Sequence, residues 1–267
     1  IYDMISARIA DRMGFQCLYM TGYGAVASYL GVPDAGLASY TEMLGRVEVM
    51  AQGTRTPLIA DADTGFGGLL NVERTIRGYE RAGAAGIQIE DQVFPKKCGH
   101  TPGRRVVPLE DMVRKIKVAV ATRDSRDFLI VARTDARTNH GLDEALRRGE
   151  AFAKAGADIL FIESPESEAE MVRICKSFSQ PLLANMVEGG RTPVLPAKQL
   201  EEMGYKMAIF PGLGFLTAAK ALEENYAVLK REGSTARIAK DLYPFSSMNA
   251  LMGFEDVWSF EKKWPEE

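Results

Sequence analysis

The stretch AGADILFIES, residues 155–164, shows the unit from which the fold is built. A glycine that suits the end of a helix is followed by a short apolar run, and the run ends in polar residues. Three further stretches have the same form: AGAAGIQIED at 82–91, MGFQCLYMTG at 13–22 and MGYKMAIFPG at 203–212. Such short apolar runs are typical of strands that are buried on both faces of a parallel sheet. The pattern therefore predicts helix–strand units that repeat along the chain.

Further strands and helices complete the repeat. Three more apolar runs end in polar or small residues, at 58–60, 128–132 and 181–184. Segments with helical periodicity lie between the strands, at 71–82, 109–121, 142–155, 167–178 and 196–203. Strands that alternate with helices pair in parallel through right-handed crossovers. We predict an α/β protein with a (β/α)8 TIM-type barrel, one strand of which lies mostly before residue 1. An open doubly wound sheet is the alternative.

Composition excludes several classes of function. The chain has 267 residues, 46% of them hydrophobic, and a formal net charge of −3. This charge gives no reason to expect binding to nucleic acid or to an anionic membrane. No apolar run reaches the roughly 18–20 residues that span a bilayer. The three cysteines have no metal-like spacing and indicate a reducing compartment, so we expect a cytoplasmic protein.

The predicted strands end in an unusual number of carboxylates. Active sites of barrel enzymes lie at the carboxyl ends of the strands. We therefore expect Asp61, Asp63 and Glu90 to lie close together at that end of the barrel. Carboxylates this close together are costly unless a cation neutralises them, and hard oxygen ligands suit Mg²⁺. Structural ion pairs with arginine or lysine are the alternative interpretation. The sequence has no phosphate-binding motif of the Walker or dinucleotide type, which argues against a nucleotide cofactor.

The segment KKCGH, residues 96–100, carries the second cluster of reactive groups. A thiol between two lysines and near an imidazole is expected to have a lowered pKa, so Cys98 is a candidate acid or nucleophile. The surrounding segment 94–108 is rich in proline and glycine, which predicts a mobile lid. Two glycine-rich segments, 21–24 and 188–193, are candidate anion-binding loops because their N–H groups can approach a ligand closely.

Five segments together resemble one known family. They are LGVPD at 30–34, DADTGFG at 61–67, EDQ at 90–92, KKCGH at 96–100 and ARTDA at 132–136. The chain resembles the isocitrate lyase/phosphoenolpyruvate mutase superfamily over nearly its whole length. The KKCGH segment is typical of the lyase branch, since the phosphonate-forming mutases lack this cysteine. Within that branch the chain is most similar to the group that contains 2,3-dimethylmalate lyase, petal death protein and oxaloacetate acetylhydrolase, and less so to methylisocitrate lyase.

The resemblance implies roles for individual residues. It implies a site for Mg²⁺, or Mn²⁺ in its place, formed by four carboxylates: Asp63, Asp61, Asp34 and Glu90. It implies five catalytic residues, with Cys98 as the general acid: Cys98, Arg133, His100, Glu163 and Tyr19. It implies eight substrate-binding residues: Thr21, Gly22, Tyr23, Lys96, Gly99, Asn185, Thr192 and Pro211. The general base is left open between Tyr19 and a hydroxide on the metal.

The activity implied by the resemblance is a Mg²⁺-dependent carbon–carbon cleavage. The expected substrate is a 2-hydroxy dicarboxylate, 2,3-dimethylmalate or a related alkylmalate, which yields pyruvate and a simple acid such as propionate. The segment 188–193 departs from that of methylisocitrate lyases and favours a substrate smaller than a tricarboxylate. Pro211 stands where the family's oxaloacetate hydrolases have a serine, which favours the lyase. Oxaloacetate acetylhydrolase and methylisocitrate lyase are the alternatives, and a non-catalytic dicarboxylate-binding barrel is a third.

The last part of the chain is expected to form an interface. We predict a barrel over residues 1–232 and a C-terminal helical extension over 233–267. The extension is rich in aromatic residues, among them Phe245, Trp258 and Phe260, and an apolar patch of this kind usually marks an interface. Packing back onto its own barrel is the alternative. The resemblance implies a homotetramer, a dimer of dimers in which C-terminal helices are swapped between subunits.

Overall fold

The structure, a computed structural model, describes residues 1–265 and consists of strands that alternate with helices. The strands are β1 (Leu18–Met20), β2 (Leu58–Asp61), β3 (Gly86–Glu90), β4 (Leu129–Thr134), β5 (Ile159–Ile162), β6 (Leu183–Asn185) and β7 (Met207–Ile209). The first helices are α1 (Met4–Arg12), α2 (Gly22–Leu30), α3 (Tyr40–Gly53), α4 (Leu69–Arg81), α5 (Leu109–Thr122) and α6 (Arg137–Lys154). The later helices are α7 (Glu168–Ser177), α8 (Ala197–Met203), α9 (Leu213–Glu232), α10 (Phe245–Met252) and α11 (Phe254–Lys263).

The strands pair in parallel and in chain order. Strands β1 to β5 form one sheet, β6 pairs with β7, and a bridge between Leu160 and Leu182 joins the two groups. The backbone of Ile1 lies alongside β1, because its N donates to Tyr19 O at 2.8 Å and its O accepts from Thr21 N at 3.1 Å. A doubly wound sheet reverses its strand order, so the sequential order shows that this alternative is wrong.

Two separate hydrophobic cores show how the sheet closes. The inner core contains Ile59 of β2, Val131 of β4, Phe161 of β5 and Ile209 of β7. Side chains from β2 and β7 can share a cluster only if the sheet curves back on itself. The outer core fills the space between the strands and the helices, with large buried side chains such as Tyr79. This two-layer arrangement confirms the predicted barrel, whose interior is packed with side chains.

Glycine ends four helices as the repeated unit predicts. Gly14, Gly83, Gly156 and Gly204 have φ angles of 77°, 96°, 102° and 119°. In this left-handed region a side chain would clash with the backbone, so glycine is favoured where the chain leaves a helix for the next strand. The predicted strands and helices of residues 58–203 are confirmed to within a few residues at their ends.

The first 53 residues contain three helices that the periodicity did not identify. Helix α2 begins at Gly22, within the segment 21–24 that the sequence suggests as an anion-binding loop. Its two glycines lower its helix propensity, and tertiary packing of Ala25 and Val26 stabilises it instead. Helix α3 does carry a local signal, because Ser39 and Glu42 form a capping box.

The described residues divide into two compact units, Ile1–Phe215 and the segment from Leu216 onward. The first unit contains all seven strands of the part of the chain that the structure describes. Helix α9 begins before the division and ends after it, whereas the sequence suggested a boundary at 232; that domain assignment stays a prediction. No helix among residues 1–265 is long and apolar enough to cross a membrane.

Candidate functional site

The carboxyl ends of the strands bring the predicted polar residues to one end of the barrel. Asp61 ends β2, Glu90 ends β3, Arg133 lies near the end of β4, Glu163 follows β5 and Asn185 ends β6. The first four of these side chains are buried. The lid, residues 94–108, packs on these residues at Gly99, where a Cβ would lie 2.3 Å from Arg133 Nη2. Gly99 O also accepts from Ser164 Oγ at 3.1 Å, and Cys98 N donates to Asp34 O at 3.2 Å.

Asp61 is held by three donors at the acidic side of the site. Its oxygens accept from Gly22 N at 3.2 Å, from Asp63 N at 3.0 Å and from Gln88 Nε2 at 3.2 Å. A Cβ at Gly22 would lie 2.6 Å from Asp61 Oδ2, so only glycine permits this approach. The sequence suggests that the N–H groups of residues 21–24 bind an external anion. In the structure the Gly22 N–H instead donates to the carboxylate of Asp61.

The neighbours of Gly22 lie at the same helix end. Thr21 is the buried N-cap residue of α2, and Tyr23 is 40% exposed, with its ring 5.2 Å from that of Phe215. The amino end of a helix carries a partial positive charge, which suits a carboxylate ligand. Thr21 and Tyr23 thus flank the site from the β1 side.

Lys96 lies among the carboxylates rather than beside the thiol. Its Nζ is 2.7 Å from Asp63 Oδ1 and also pairs with Asp34. Burial by itself would lower the pKa of Lys96, but the charges of Asp63 and Asp34 outweigh it and raise the pKa well above its usual value. The prediction that Lys96 activates Cys98 is wrong, because the ammonium group is already paired with two acids.

The acidic cluster fits a bound cation. Burial raises the pKa of Asp63 to about 6 and that of Glu90 well above its usual range, so each carboxylate gains from a positive charge nearby. Glu90 Oε1 is buried and lacks a hydrogen-bond partner in the described structure. The ammonium of Lys96 already shows that Asp63 and Asp34 accept a cation. Within residues 1–265 no three acidic, imidazole or thiol groups form a ready-made metal cage, and Mg²⁺ often needs only one or two carboxylates with water and substrate.

Arg133 lies at the centre of the site, surrounded by three carboxylates. Its Nε and Nη2 donate to Asp135 at 2.9 and 2.8 Å, Nη1 lies 3.4 Å from Glu90 and Nη2 lies 3.3 Å from Glu163. Its guanidinium also lies 5.1 Å from the ring centre of Phe161. Burial opposes the charge, but Asp135 and Glu90 raise the pKa of Arg133 well above its usual value, so the cation is permanent.

Glu163, His100 and Asn185 form the other side of the site. Glu163 accepts from Asn185 Nδ2 at 3.0 Å and lies 3.5 Å from His100 Nε2. Burial lowers the pKa of His100 despite the opposing charge of Glu163, so the imidazole is neutral at physiological pH. Gly190 packs closely on this ring, since a Cβ there would lie 2.7 Å from His100 Nδ1. The segment 188–193 therefore limits the space beside the lid.

Cys98 carries a protonated thiol. Burial raises the pKa of Cys98, and the backbone N–H of His100, which lowers it, does not compensate. The predicted lowering of this pKa is wrong, because Lys96 points to the acids and Lys97 is exposed. A thiol that keeps its proton is suited to act as an acid rather than as a thiolate nucleophile. The other two cysteines lie outside the lid: Cys17 directly precedes β1, and Cys175 lies in α7.

Gln88 is a site residue that the sequence did not reveal. It is fully buried in β3, accepts from the Tyr19 hydroxyl at 2.5 Å and donates to Asp61. Burial and the charge of Asp61 raise the pKa of Tyr19 well above its usual value, so the phenol keeps its proton. A glutamine among apolar residues of a buried strand was the available signal, since a buried amide needs polar partners.

Two predicted substrate-binding residues follow the last two strands: Thr192 lies after β6 and Pro211 after β7. Thr192 is buried, and its Oγ1 has no hydrogen-bond partner within the described residues. Pro211 follows β7 and is half-buried. A buried hydroxyl without a partner is costly, so Thr192 is suited to bind a ligand.

Comparisons with known proteins show the family of this chain. A family model described as phosphoenolpyruvate phosphomutase matches residues 1–229. A 2,3-dimethylmalate lyase of Eubacterium barkeri is 51% identical over 263 residues, which cover 98% of this chain and 91% of the relative.

Solved structures extend the comparison to the fold. An oxaloacetate acetylhydrolase in complex with the inhibitor 3,3-difluorooxalacetate superposes with a TM-score of 0.94 at 34% identity, covering 100% of this chain and 91% of the other. A phosphonopyruvate hydrolase in complex with oxalate and Mg²⁺ superposes with a TM-score of 0.89 at 30% identity, covering 100% and 93%. Relatives of this fold thus act on small acids, and one of them holds a divalent metal.

Proposed function

The chain belongs to the phosphoenolpyruvate phosphomutase family and is a carbon–carbon lyase, and from this premise we propose that its substrate is 2,3-dimethylmalate or a related alkylmalate. The products are pyruvate, or another 2-oxo acid, and a simple carboxylic acid such as propionate. The observation that carries the proposal is the protonated thiol of Cys98 on a lid that contacts Arg133 and Glu163. A lyase of this kind needs such an acid to protonate the departing carbon.

Mg²⁺ fits the acidic side of the site. Asp63 would hold the cation, with Asp34, Asp61 and Glu90 around it, because Asp63, Asp61 and Glu90 are buried and Asp63 and Asp34 already pair with the cation of Lys96. When bound there, the cation supplies Lewis-acid polarisation of the oxygens of a 2-hydroxy acid.

The side chains of the protein supply binding and proton transfer. Thr21 and Tyr23 at the start of α2 orient the carboxylate of the 2-oxo acid half, while Gly22 between them donates its N–H to Asp61 and so links this helix end to the acidic side of the site. Arg133 contacts the substrate oxygens and stabilises the negative charge that develops as the C2–C3 bond breaks. Glu163 keeps Arg133 oriented, with Nη2 at 3.3 Å.

The second fragment leaves on the lid side. His100 and Asn185 bind its carboxylate, and Gly99 allows the lid to approach, since a Cβ there would lie 2.8 Å from Glu163 Oε2. Cys98 donates its proton to the carbon of this fragment, and the C2 hydroxyl loses one proton as it becomes the carbonyl of the 2-oxo acid. Return of a proton to the thiolate restores Cys98, so protons balance over one turnover. Tyr19 keeps its own proton and, through Gln88, orients Asp61.

The size of the site favours a dicarboxylate. Gly190 packs against His100, and Arg191 N donates to His100 Nδ1 at 3.4 Å, so the segment 188–193 restricts the space beside His100, which favours a substrate smaller than a tricarboxylate. Buried Thr192 offers at the same end a hydroxyl that has no hydrogen-bond partner among residues 1–265. Pro211, which follows β7, has no hydroxyl to offer a hydrolytic intermediate, and this favours the lyase over the hydrolase.

A substrate panel tests the proposed function. The enzyme is assayed with Mg²⁺ and with EDTA for 2-oxo acid release from 2,3-dimethylmalate, other alkylmalates and methylisocitrate, and for oxalate release from oxaloacetate. We expect pyruvate from an alkylmalate with Mg²⁺ and loss of this activity in EDTA. Oxalate as the only product would assign the hydrolase reaction instead. Cleavage of methylisocitrate alone would show that the site accepts a tricarboxylate.

For the assembly we propose a homotetramer with exchanged C-terminal helices. In the second unit, Phe245 is 81%, Trp258 55% and Phe260 65% exposed, a surface more apolar than a free helix normally presents. Light scattering is expected to give four times the chain mass of 29.3 kDa. A monomer at micromolar concentration would contradict the proposal.

A further inference from the structure

The lid contains one buried arginine in an exposed run. Residues 101–103 and Arg105 are exposed, whereas Arg104 is 3% exposed. An arginine is almost never buried unless its charge is paired, so the position of Arg104 needs a partner. Its Nη1 donates to Asp135 Oδ1 at 2.6 Å, and its Nη2 donates to Thr138 Oγ1 at 2.6 Å.

Further bonds join this part of the lid to the barrel. The Arg104 carbonyl accepts from the side chain of Asn139, at the start of α6. Val93 N donates to Arg105 O at 2.8 Å, so the two ends of the lid are also joined to each other. Arg104 is thus the point at which a lid side chain contacts the end of β4 and the beginning of α6.

Asp135 is shared between this lid arginine and the arginine of the site. Its Oδ1 accepts from Arg104 Nη1 and, at 2.8 Å, from Arg133 Nη2, while its Oδ2 accepts from Arg133 Nε at 2.9 Å. Burial opposes ionisation, but Arg133 and Arg104 outweigh it and lower the pKa of Asp135, so this carboxylate is ionised. A single buried anion therefore has one cation from the lid and one from the strand.

We propose that Arg104 is a positioning residue that couples closure of the lid to the orientation of Arg133 through Asp135. When the lid is in place, Arg104 donates to Oδ1 of Asp135. This bond fixes the orientation in which the carboxylate accepts two hydrogen bonds from Arg133. When the lid leaves, Asp135 loses one of its two cations and Arg133 loses a fixed partner. The inference rests on the proposed function, because it is there that Arg133 contacts the substrate.

The alternative is that Arg104 merely neutralises Asp135. Arg133 already donates a hydrogen bond to each oxygen of Asp135, so this carboxylate has a cationic partner without a second arginine. The additional bond to Thr138 and the Asn139 contact fix the position of Arg104 as well as its charge. A lysine would keep the charge but has no planar fork to reach both Asp135 and Thr138.

Arg104→Gln is the test variant, and Arg105→Gln is its matched control. Both remove one arginine from the same lid, but only Arg104 is buried and paired with Asp135. Lid opening is measured without any ligand by the rate at which an endoproteinase specific for lysine cuts after Lys97, which is exposed and unchanged in both variants. We expect Arg104→Gln to be cut about ten- to a hundredfold faster than wild type, because charge-assisted hydrogen bonds are lost and cleavage follows the open population.

Kinetics then test the coupling to Arg133. We expect kcat/KM of Arg104→Gln to fall about tenfold or more, as for the loss of an orienting contact, with Arg104→Lys between it and wild type and Arg105→Gln unchanged. Equal cleavage of the two Gln variants would overturn the proposal, and so would faster cleavage with kcat/KM equal to that of the control. Thr138→Val, which removes one acceptor and no charge, gives a smaller change in the same direction if the proposal holds. The cleavage comparison needs no substrate, so a protein that turns over no 2-hydroxy acid refutes the proposed function and leaves the lid result to be judged separately.

Discussion

Replacement of Cys98 by serine is expected to lower kcat about 10²–10⁴-fold, the range for loss of a general acid. A serine hydroxyl is a much weaker acid than a thiol, and here the thiol keeps its proton because burial raises the pKa of Cys98. The backbone contacts of the lid do not involve the sulfur: Cys98 N donates to Asp34 O, and Cys98 O accepts from Thr101 N. The loss should therefore appear in kcat, measured by pyruvate release under saturating alkylmalate, with little change in the Mg²⁺ requirement.

Cys175→Ser is the control for this substitution. Cys175 lies in α7, away from the lid, and burial raises the pKa of its thiol as well, to about 11. We expect Cys175→Ser to keep wild-type turnover, which would assign the effect to the position of Cys98 rather than to the loss of a thiol. Turnover of Cys98→Ser close to that of the control would remove Cys98 from the mechanism.

Arg133→Lys is expected to lower kcat/KM about 10²–10³-fold, the cost of losing one preorganised donor to a developing charge. The guanidinium binds Asp135 with two hydrogen bonds and lies within 3.4 Å of both Glu90 and Glu163. A lysine ammonium is a point charge without the planar set of donors of a guanidinium. It therefore cannot bind the three carboxylates and a substrate oxygen at the same time. Steady-state kinetics on the substrate found in the panel measure the effect.

Arg137→Lys separates catalysis from stability. Arg137 lies four residues further along, in α6, and pairs with Glu166 and Glu170 outside the strand ends. Both substitutions keep the charge, so thermal melting should show folded proteins in each case, while only Arg133→Lys loses activity. Equal activity of the two variants would contradict the role of Arg133 at the substrate.

The fold was largely accessible from the sequence because its signals are local. Glycines such as Gly83 and Gly156 end helices through a backbone conformation that other residues avoid, and the short apolar runs after them are typical of buried strands. Residues 1–53 were harder, because α2 contains two glycines and depends on tertiary packing of Ala25 and Val26.

The general location of the site was also accessible. In a parallel barrel the ends of all strands meet at one end, so Asp61, Glu90, Arg133 and Glu163 had to come together once the strands were assigned. The contacts of single side chains were not accessible in this way. Neighbours in sequence suggested that Lys96 would lower the pKa of Cys98, whereas Lys96 pairs with Asp34 and Asp63.

The sequence by itself thus determined the barrel and the acidic strand ends, since each depends on residue type and spacing, whereas the mobility of the thiol-bearing segment 94–108 stays a prediction. Only the tertiary structure decided that Cys98 is protonated, that Gln88 links Tyr19 to Asp61, and that Arg104 and Arg133 share Asp135. The physical reason is that pKa values and hydrogen bonds in a buried site depend on distances of a few ångströms between groups that are tens of residues apart. Such distances are set when the strands and the lid pack together, so no local sequence pattern predicts them.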